Sequence, residues 1–247
     1  MTIRYIIGNW KMNGDYALVM QMIATLRQAG PMAKAQIVVC PPFTLLHAFS
    51  ELLGMSHISL GAQNCSDVSA GTRTGDISAE MLVEQGCRYV ILGHSERRQH
   101  RGYTNEHIAA KVKLACKAGL IPILCVGETM EQREAGVAVA AVQEQVAVAL
   151  DHTGEDKIIV SYEPVWAIGA GTRTPEPDEI SEMHNVILAQ AQRMGHKRVD
   201  VLYGGSANPE NAWGILTTPG VDGLLLGRAA IAPDQFISIA KLANSLP

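Results

Sequence analysis

The chain has 247 residues, 47% of them hydrophobic, which is enough apolar material for one large α/β unit or two small ones. A formal net charge of -4 gives no whole-chain attraction to nucleic acid or anionic lipid, so neither is expected as a partner and any site for an acidic ligand must be local. Five cysteines without a CxxC pair argue against a disulfide scaffold and against a structural zinc site.

Cys40, Cys87, Cys116 and Cys125 sit among apolar neighbours and read as small core residues of a reducing compartment. No apolar run reaches the ~18 residues of a membrane span, and the N-terminal residues carry no signal-like apolar region, so a cytoplasmic protein is expected.

In chain order, a first strand spans residues 5–9 and a helix spans 15–29, with Val19, Met22, Ile23 and Leu26 on one face and a stop at Gly30-Pro31. Strands follow at 37–40, 58–62 and 89–92. A helix over 106–118 carries Ile108, Val112 and Ala115 and ends at Gly119. After a strand at 121–125, the Ala- and Val-rich stretch 131–150 reads as one long helix. A strand at 158–162 precedes a helix that Pro177 opens and Gly195 closes, and strands at 199–203 and 223–226 complete the pattern. Runs this short, with little polar alternation, suit strands buried on both faces.

Eight such strands with helices between them fit a (β/α)8 barrel occupying residues 1–247 as a single catalytic domain. A doubly wound open sheet fits less well, because no GxGxxG follows the first strand. In a barrel of this kind the chemistry lies at the C-terminal strand ends. Those ends carry Asn9, Trp10 and Lys11, then Gln63 and Asn64, His94, Gly127 and Glu128, Glu163, the run 203–206, and Gly227 with Arg228. A Glu, a His, a Lys and Gly-flanked turns on one rim suit proton transfer on a phosphorylated carbonyl compound.

These residues carry a resemblance. Gly8-Asn9-Trp10-Lys11, Gly61-Ala62-Gln63-Asn64, Gly93-His94-Ser95-Glu96-Arg97-Arg98, the run from Tyr162-Glu163-Pro164-Val165-Trp166 to Gly169, and Tyr203-Gly204-Gly205-Ser206 resemble the signatures of the triosephosphate isomerases, in order and in spacing. The resemblance implies a TIM barrel, a glycolytic and gluconeogenic isomerase of triose phosphates, and no metal or organic cofactor. It implies Glu163 as the base, His94 as the group that polarises the carbonyl and shuttles protons, Lys11 as the cation that offsets negative charge, and Asn9 as an orienting residue. Backbone amides near Gly169, Ser206, Gly227 and Arg228 would grip the phosphate. A neutral His at a helix N-terminus and a closing loop are known features of that family. Here Ser95-Glu96 would start the helix behind His94, and a flap over residues 167–171 would close on Glu163 and desolvate it.

The loop 71–76 resembles the family's interface loop, which implies a homodimer with Thr74 near the partner's Asn9 and the partner's Lys11. Glu96 and Arg97 read as a supporting ion pair, and Glu128 as structural. Four features depart from the common pattern: Ala170 in the flap, the hinge Thr172-Arg173-Thr174, Arg73 in the interface loop, and Arg228 in place of a second Gly. Arg228 would be strained if its φ were positive. The altered flap leaves a second reading, an isomerase of a four-carbon ketose phosphate such as an erythrulose phosphate.

Overall fold

Along the first strand, Tyr5 and Ile7 belong to one apolar cluster and Ile6 to another, the period-two pattern of a strand buried on both faces. The same alternation runs through the sheet. Val38, Ile91, Ile123, Ile159, Leu202 and Leu225 join the inner cluster, while Val39, Val90, Leu124, Val160, Val201 and Leu224 pack outward against helices. This is how a closed parallel barrel buries both sides of its strands. The computed structural model describes residues 3–54, 57–151, 153–154, 156–168, 173–197 and 199–247.

Within these residues the strands are β1 (Arg4–Asn9), β2 (Ala35–Cys40), β3 (Ile58–Ala62), β4 (Cys87–Leu92), β5 (Ile121–Val126), β6 (Ile159–Tyr162), β7 (Asp200–Tyr203) and β8 (Gly223–Leu226). Each pairs in parallel with the next, and β1 closes on β8 with Tyr5 opposite Gly223. The helices are α1 (Tyr16–Ala29), α2 (Leu46–Leu53), α3 (Ala79–Glu84), α4 (Ser95–Arg101), α5 (Asn105–Lys117), α6 (Met130–Glu134), α7 (Ala138–Leu150), α8 (Pro177–Arg193), α9 (Ala212–Leu216) and α10 (Pro233–Ser245). The expected (β/α)8 barrel is therefore present.

Local chemistry sets the helix ends. Asp15 caps α1 by accepting from the Leu18 N–H, and Gly30, at φ +73°, ends it. The single helix expected over 131–150 is wrong. Gly136, at φ +72°, separates α6 from α7, and Thr129 with Gln132 forms a capping box that gives α6 its own start. The Ala- and Val-rich composition masks that break, because the single Gly136 is what marks it in the sequence.

All five cysteines are free, and burial pushes the Cys65, Cys87 and Cys116 thiols up to about 12. No helix among the described residues is long and apolar enough to cross a membrane.

Candidate active site

Strand parity places the chemistry. In β6, Ile159 faces the barrel interior, so Ser161 and then Glu163, one residue past the strand, face it too. Glu163 directly follows that strand, and its N–H donates a hydrogen bond to the Val126 carbonyl at 2.7 Å. The cross-strand neighbours at its level are both glycines. A Cβ on Gly127 would lie 1.7 Å from the Glu163 carbonyl oxygen, and one on Gly204 would lie 2.8 Å from Glu163 Cγ. The bare Gly204 position leaves room for the Glu163 side chain, and the bare Gly127 position leaves room for its backbone.

Glu163 is only 1% exposed. Its Oε2 accepts the Ser95 N–H at 3.0 Å. Its Oε1 lies 3.4 Å from His94 Nε2, too poorly aligned for a hydrogen bond, and is a buried carboxylate oxygen without a partner among the described residues. The sequence reading left desolvation to a closing flap; the described residues alone already withdraw this group from water.

His94 is the N-cap of α4, as the Ser95-Glu96 start suggested, and its Nδ1 accepts the Glu96 N–H at 3.2 Å. An Nδ1 that accepts leaves Nε2 to carry the proton, so the ring presents a donor toward the cavity beside Glu163. Gly93 makes the turn before it, at φ +76°.

Lys11 follows Trp10, which is fully buried against Phe49. Its Nζ meets Glu96 Oε1 at 2.6 Å. Among the described residues it is the non-glycine with a left-handed backbone, at φ +53°, a conformation that costs about 1 kcal/mol. Two bonds hold it there. The Lys11 N–H donates to Asn9 Oδ1 at 3.0 Å, and Gln63 Nε2 donates to the Lys11 carbonyl at 2.9 Å. Asn9 thus shapes the Lys11 turn. The expected Glu96–Arg97 pair does not form. Glu96 goes to Lys11 while Arg97 bonds the Tyr103 hydroxyl at 2.7 Å, because the two side chains leave α4 on different faces. Burial alone would raise the Glu96 carboxyl, but the Lys11 bond and nearby His94 outweigh it and hold it below the usual range.

Asn9, Lys11, His94, Glu163, Ser206, Gly227 and Arg228 line one cavity of about 1100 Å³ at the C-terminal end of the barrel. Gly227 lies beside the Lys11 stem, where its Cβ would sit 3.5 Å from Cε. Arg228 starts a short 3-10 turn, Arg228–Ile231, and does not have a positive φ, so the strain considered for it does not arise. Ser206 Oγ donates to the Ala167 carbonyl at 3.3 Å and ties the loop after β7 to the segment after Glu163. Gly169, Ala170 and Thr172 lie outside the described residues. Asn64, the other rim candidate, is turned away and accepts from Lys111 Nζ at 3.3 Å.

Glu128 is structural, as expected, but with a specific task. Fully buried, its Oε1 accepts from the Tyr162 hydroxyl, from Trp166 Nε1 at 2.7 Å and from Arg133 at 3.1 Å. Its carbonyl accepts the Val165 N–H at 3.0 Å. Sequence reasoning missed Gln145, which bonds both the N–H and the carbonyl of Gly127 at 2.8 and 3.0 Å. A glutamine in an Ala/Val-rich helix gave the only signal.

The family model for triosephosphate isomerase matches residues 4–243. A triosephosphate isomerase of Coxiella burnetii is 40% identical over 247 residues, covering 97% of this chain and 96% of that protein. One of Halorhodospira halophila is 42% identical, covering 98% of this chain and 99% of its own, and one of Herminiimonas arsenicoxydans is 42% identical, covering 98% and 100%.

Proposed function

The chain belongs to the triosephosphate isomerase family and interconverts dihydroxyacetone phosphate and D-glyceraldehyde 3-phosphate; from that premise we propose that the reaction runs through a cis-enediol(ate) with Glu163 as its base. One observation carries the assignment: a buried carboxylate with one oxygen held by the Ser95 N–H and the other unpartnered beside His94 Nε2. A carboxylate oxygen that no protein group occupies is open to take a proton from a carbon placed beside it.

Glu163 takes a proton from the carbon bearing the hydroxyl, and electrons flow to the neighbouring carbonyl oxygen. His94 gives its Nε2 proton to that oxygen and takes up the proton of the hydroxyl on the first carbon, so the two oxygens exchange roles and the imidazole ends as it began. The protonated Glu163 then returns its proton to the adjacent carbon, which leaves the enzyme unchanged. Lys11 faces the charge that develops on the enediolate and the phosphate, with Asn9 fixing its turn and orienting substrate oxygens. Amides near Gly169, Ser206, Gly227 and Arg228 hold the phosphate. The barrel over residues 1–247 acts as one catalytic domain, and buried free thiols suit a cytoplasmic setting. The family assignment favours the triose phosphate over the four-carbon ketose phosphate.

We further propose a homodimer built around loop 71–76. Met12, next to Lys11, is 96% exposed, and Tyr16 and Met81 are also exposed, an apolar set that a second copy would cover. The loop is tied into one shape: Arg73 bonds Asp67 at 2.9 Å, and Ser66 bonds Asp76 at 2.8 Å.

A coupled isomerase assay on wild type and Glu163→Asp tests the base. Shortening the side chain by one methylene draws the carboxylate back, so kcat falls at least a hundredfold, on the order expected for a misplaced group, while KM moves little. Near-normal turnover by the variant would overturn the assignment.

A further inference from the structure

The segment that leaves Glu163 is pinned through Trp166, and the pin continues to a residue on the far side of the undescribed stretch. Arg133 joins Glu128, at 3.1 Å, to Glu179 Oε1, at 2.6 Å. Arg173 grips the same Glu179 as a fork, Nη1 to Oε2 at 2.6 Å and Nη2 to Oε1 at 3.0 Å. Both guanidinium groups also lie against the Trp166 ring, Arg133 at 4.9 Å from its centroid and Arg173 at 4.7 Å. Glu179 accepts the Glu176 N–H as well, so its carboxylate is fixed to the start of α8. The Arg173 bond, followed by those from Glu176 and Arg133, holds the Glu179 carboxyl down at about 2, so the fork stays charged at any working pH.

We propose that Arg173 is a positioning residue for the reaction: with Glu179 as its anchor, it stacks on Trp166 and thereby fixes the turn Val165–Ala167 that sets where the Glu163 carboxylate stands. Arg suits the task better than Lys, because it can fork on a carboxylate and stack on an indole with one planar group. The residue chain is short. Trp166 Nε1 and the Val165 N–H both end on Glu128, and only Pro164 separates Val165 from Glu163. A shift of Trp166 is therefore passed to the base with little slack. The inference rests on Glu163 being the base.

Arg173 is about half exposed, so substituting it leaves the core intact and the variants fold. The test compares Arg173→Gln, Arg173→Lys and Glu179→Gln with wild type by kcat, KM and thermal midpoint. Fluorine NMR of 5-fluorotryptophan protein adds a second readout, with the Trp166 signal assigned by its loss in Trp166→Phe. Arg173→Gln and Glu179→Gln are expected to lower kcat roughly tenfold with KM within about twofold, and to shift or broaden the Trp166 signal. Arg173→Lys restores only part of both. Wild-type kcat in Arg173→Gln, a lowered thermal midpoint with kcat and the fluorine signal unmoved, or full rescue by Arg173→Lys would each overturn the proposal. Glu163→Gln serves as the control: if it turns over normally, the base assignment fails and this inference falls with it. If it is inactive while Arg173→Gln is normal, this inference alone fails.

Discussion

At the scale of single residues, the site depends as much on missing side chains as on present ones. Gly127 and Gly204 lie beside Glu163 just past the ends of the neighbouring strands, where a Cβ would meet the Glu163 backbone in the first case and Ser161 Oγ and Glu163 Cγ in the second. Gly204→Ala is expected to push Glu163 Cγ and Ser161 Oγ, the latter only 2.5 Å from the added carbon, and so to lower kcat at least tenfold with a smaller loss of stability. Steady-state kinetics beside urea unfolding separates the two effects; unchanged kcat would mean that the carboxylate has room to spare. The residue types at this rim were legible in the sequence, because parity along short strands puts Asn9, Lys11 and Glu163 on the inside. Hydrogen-bond partners were not. Glu96 sits next to Arg97 in sequence yet pairs with Lys11 across the rim, a choice made by the directions in which α4 points its side chains.

At the scale of elements, strands were read within a few residues and helices less well. Short apolar strands between turn residues leave little freedom, whereas a helix end depends on one glycine or one cap, as the α6–α7 break at Gly136 shows. Helix α8 carries a buried test of acid behaviour. His184, fully buried, donates from Nδ1 to the Gly220 carbonyl at 2.8 Å and packs edge-on to Tyr162. Burial lowers its pKa from 6.5 to about 4. Between these values the unfolded chain holds a proton that the folded chain lacks, so stability falls as pH drops through that window, by up to about 1.4 kcal/mol per pH unit. His184→Asn keeps a donor for Gly220 but has no proton to take up. Its unfolding free energy is therefore expected to vary less with pH between 6.5 and 4 than that of wild type. Equal slopes would show that other groups govern the acid limb.

At the scale of the molecule, the barrel and the site were visible together because this fold places every strand end on one rim. What lay outside reach was the long-range wiring: Gln145 to Gly127, and Arg133 to Glu179, which join residues 18 and 46 apart in sequence. Association belongs to this scale too. Sedimentation is expected to show a dimer that dissociates on dilution, and Met12→Glu to weaken it by placing a charge on the proposed contact. A wild-type protein that stays monomeric at high concentration would rule out the interface. The central claim is proton transfer by Glu163, and the most direct measurement follows dihydroxyacetone phosphate turning over in D2O. Proton transfer through an enediolate predicts glyceraldehyde phosphate carrying carbon-bound deuterium at the former carbonyl carbon, with Glu163→Asp slowing turnover and deuterium entry together. Product free of carbon-bound deuterium, or deuterium entry at the wild-type rate in Glu163→Asp, would contradict the account.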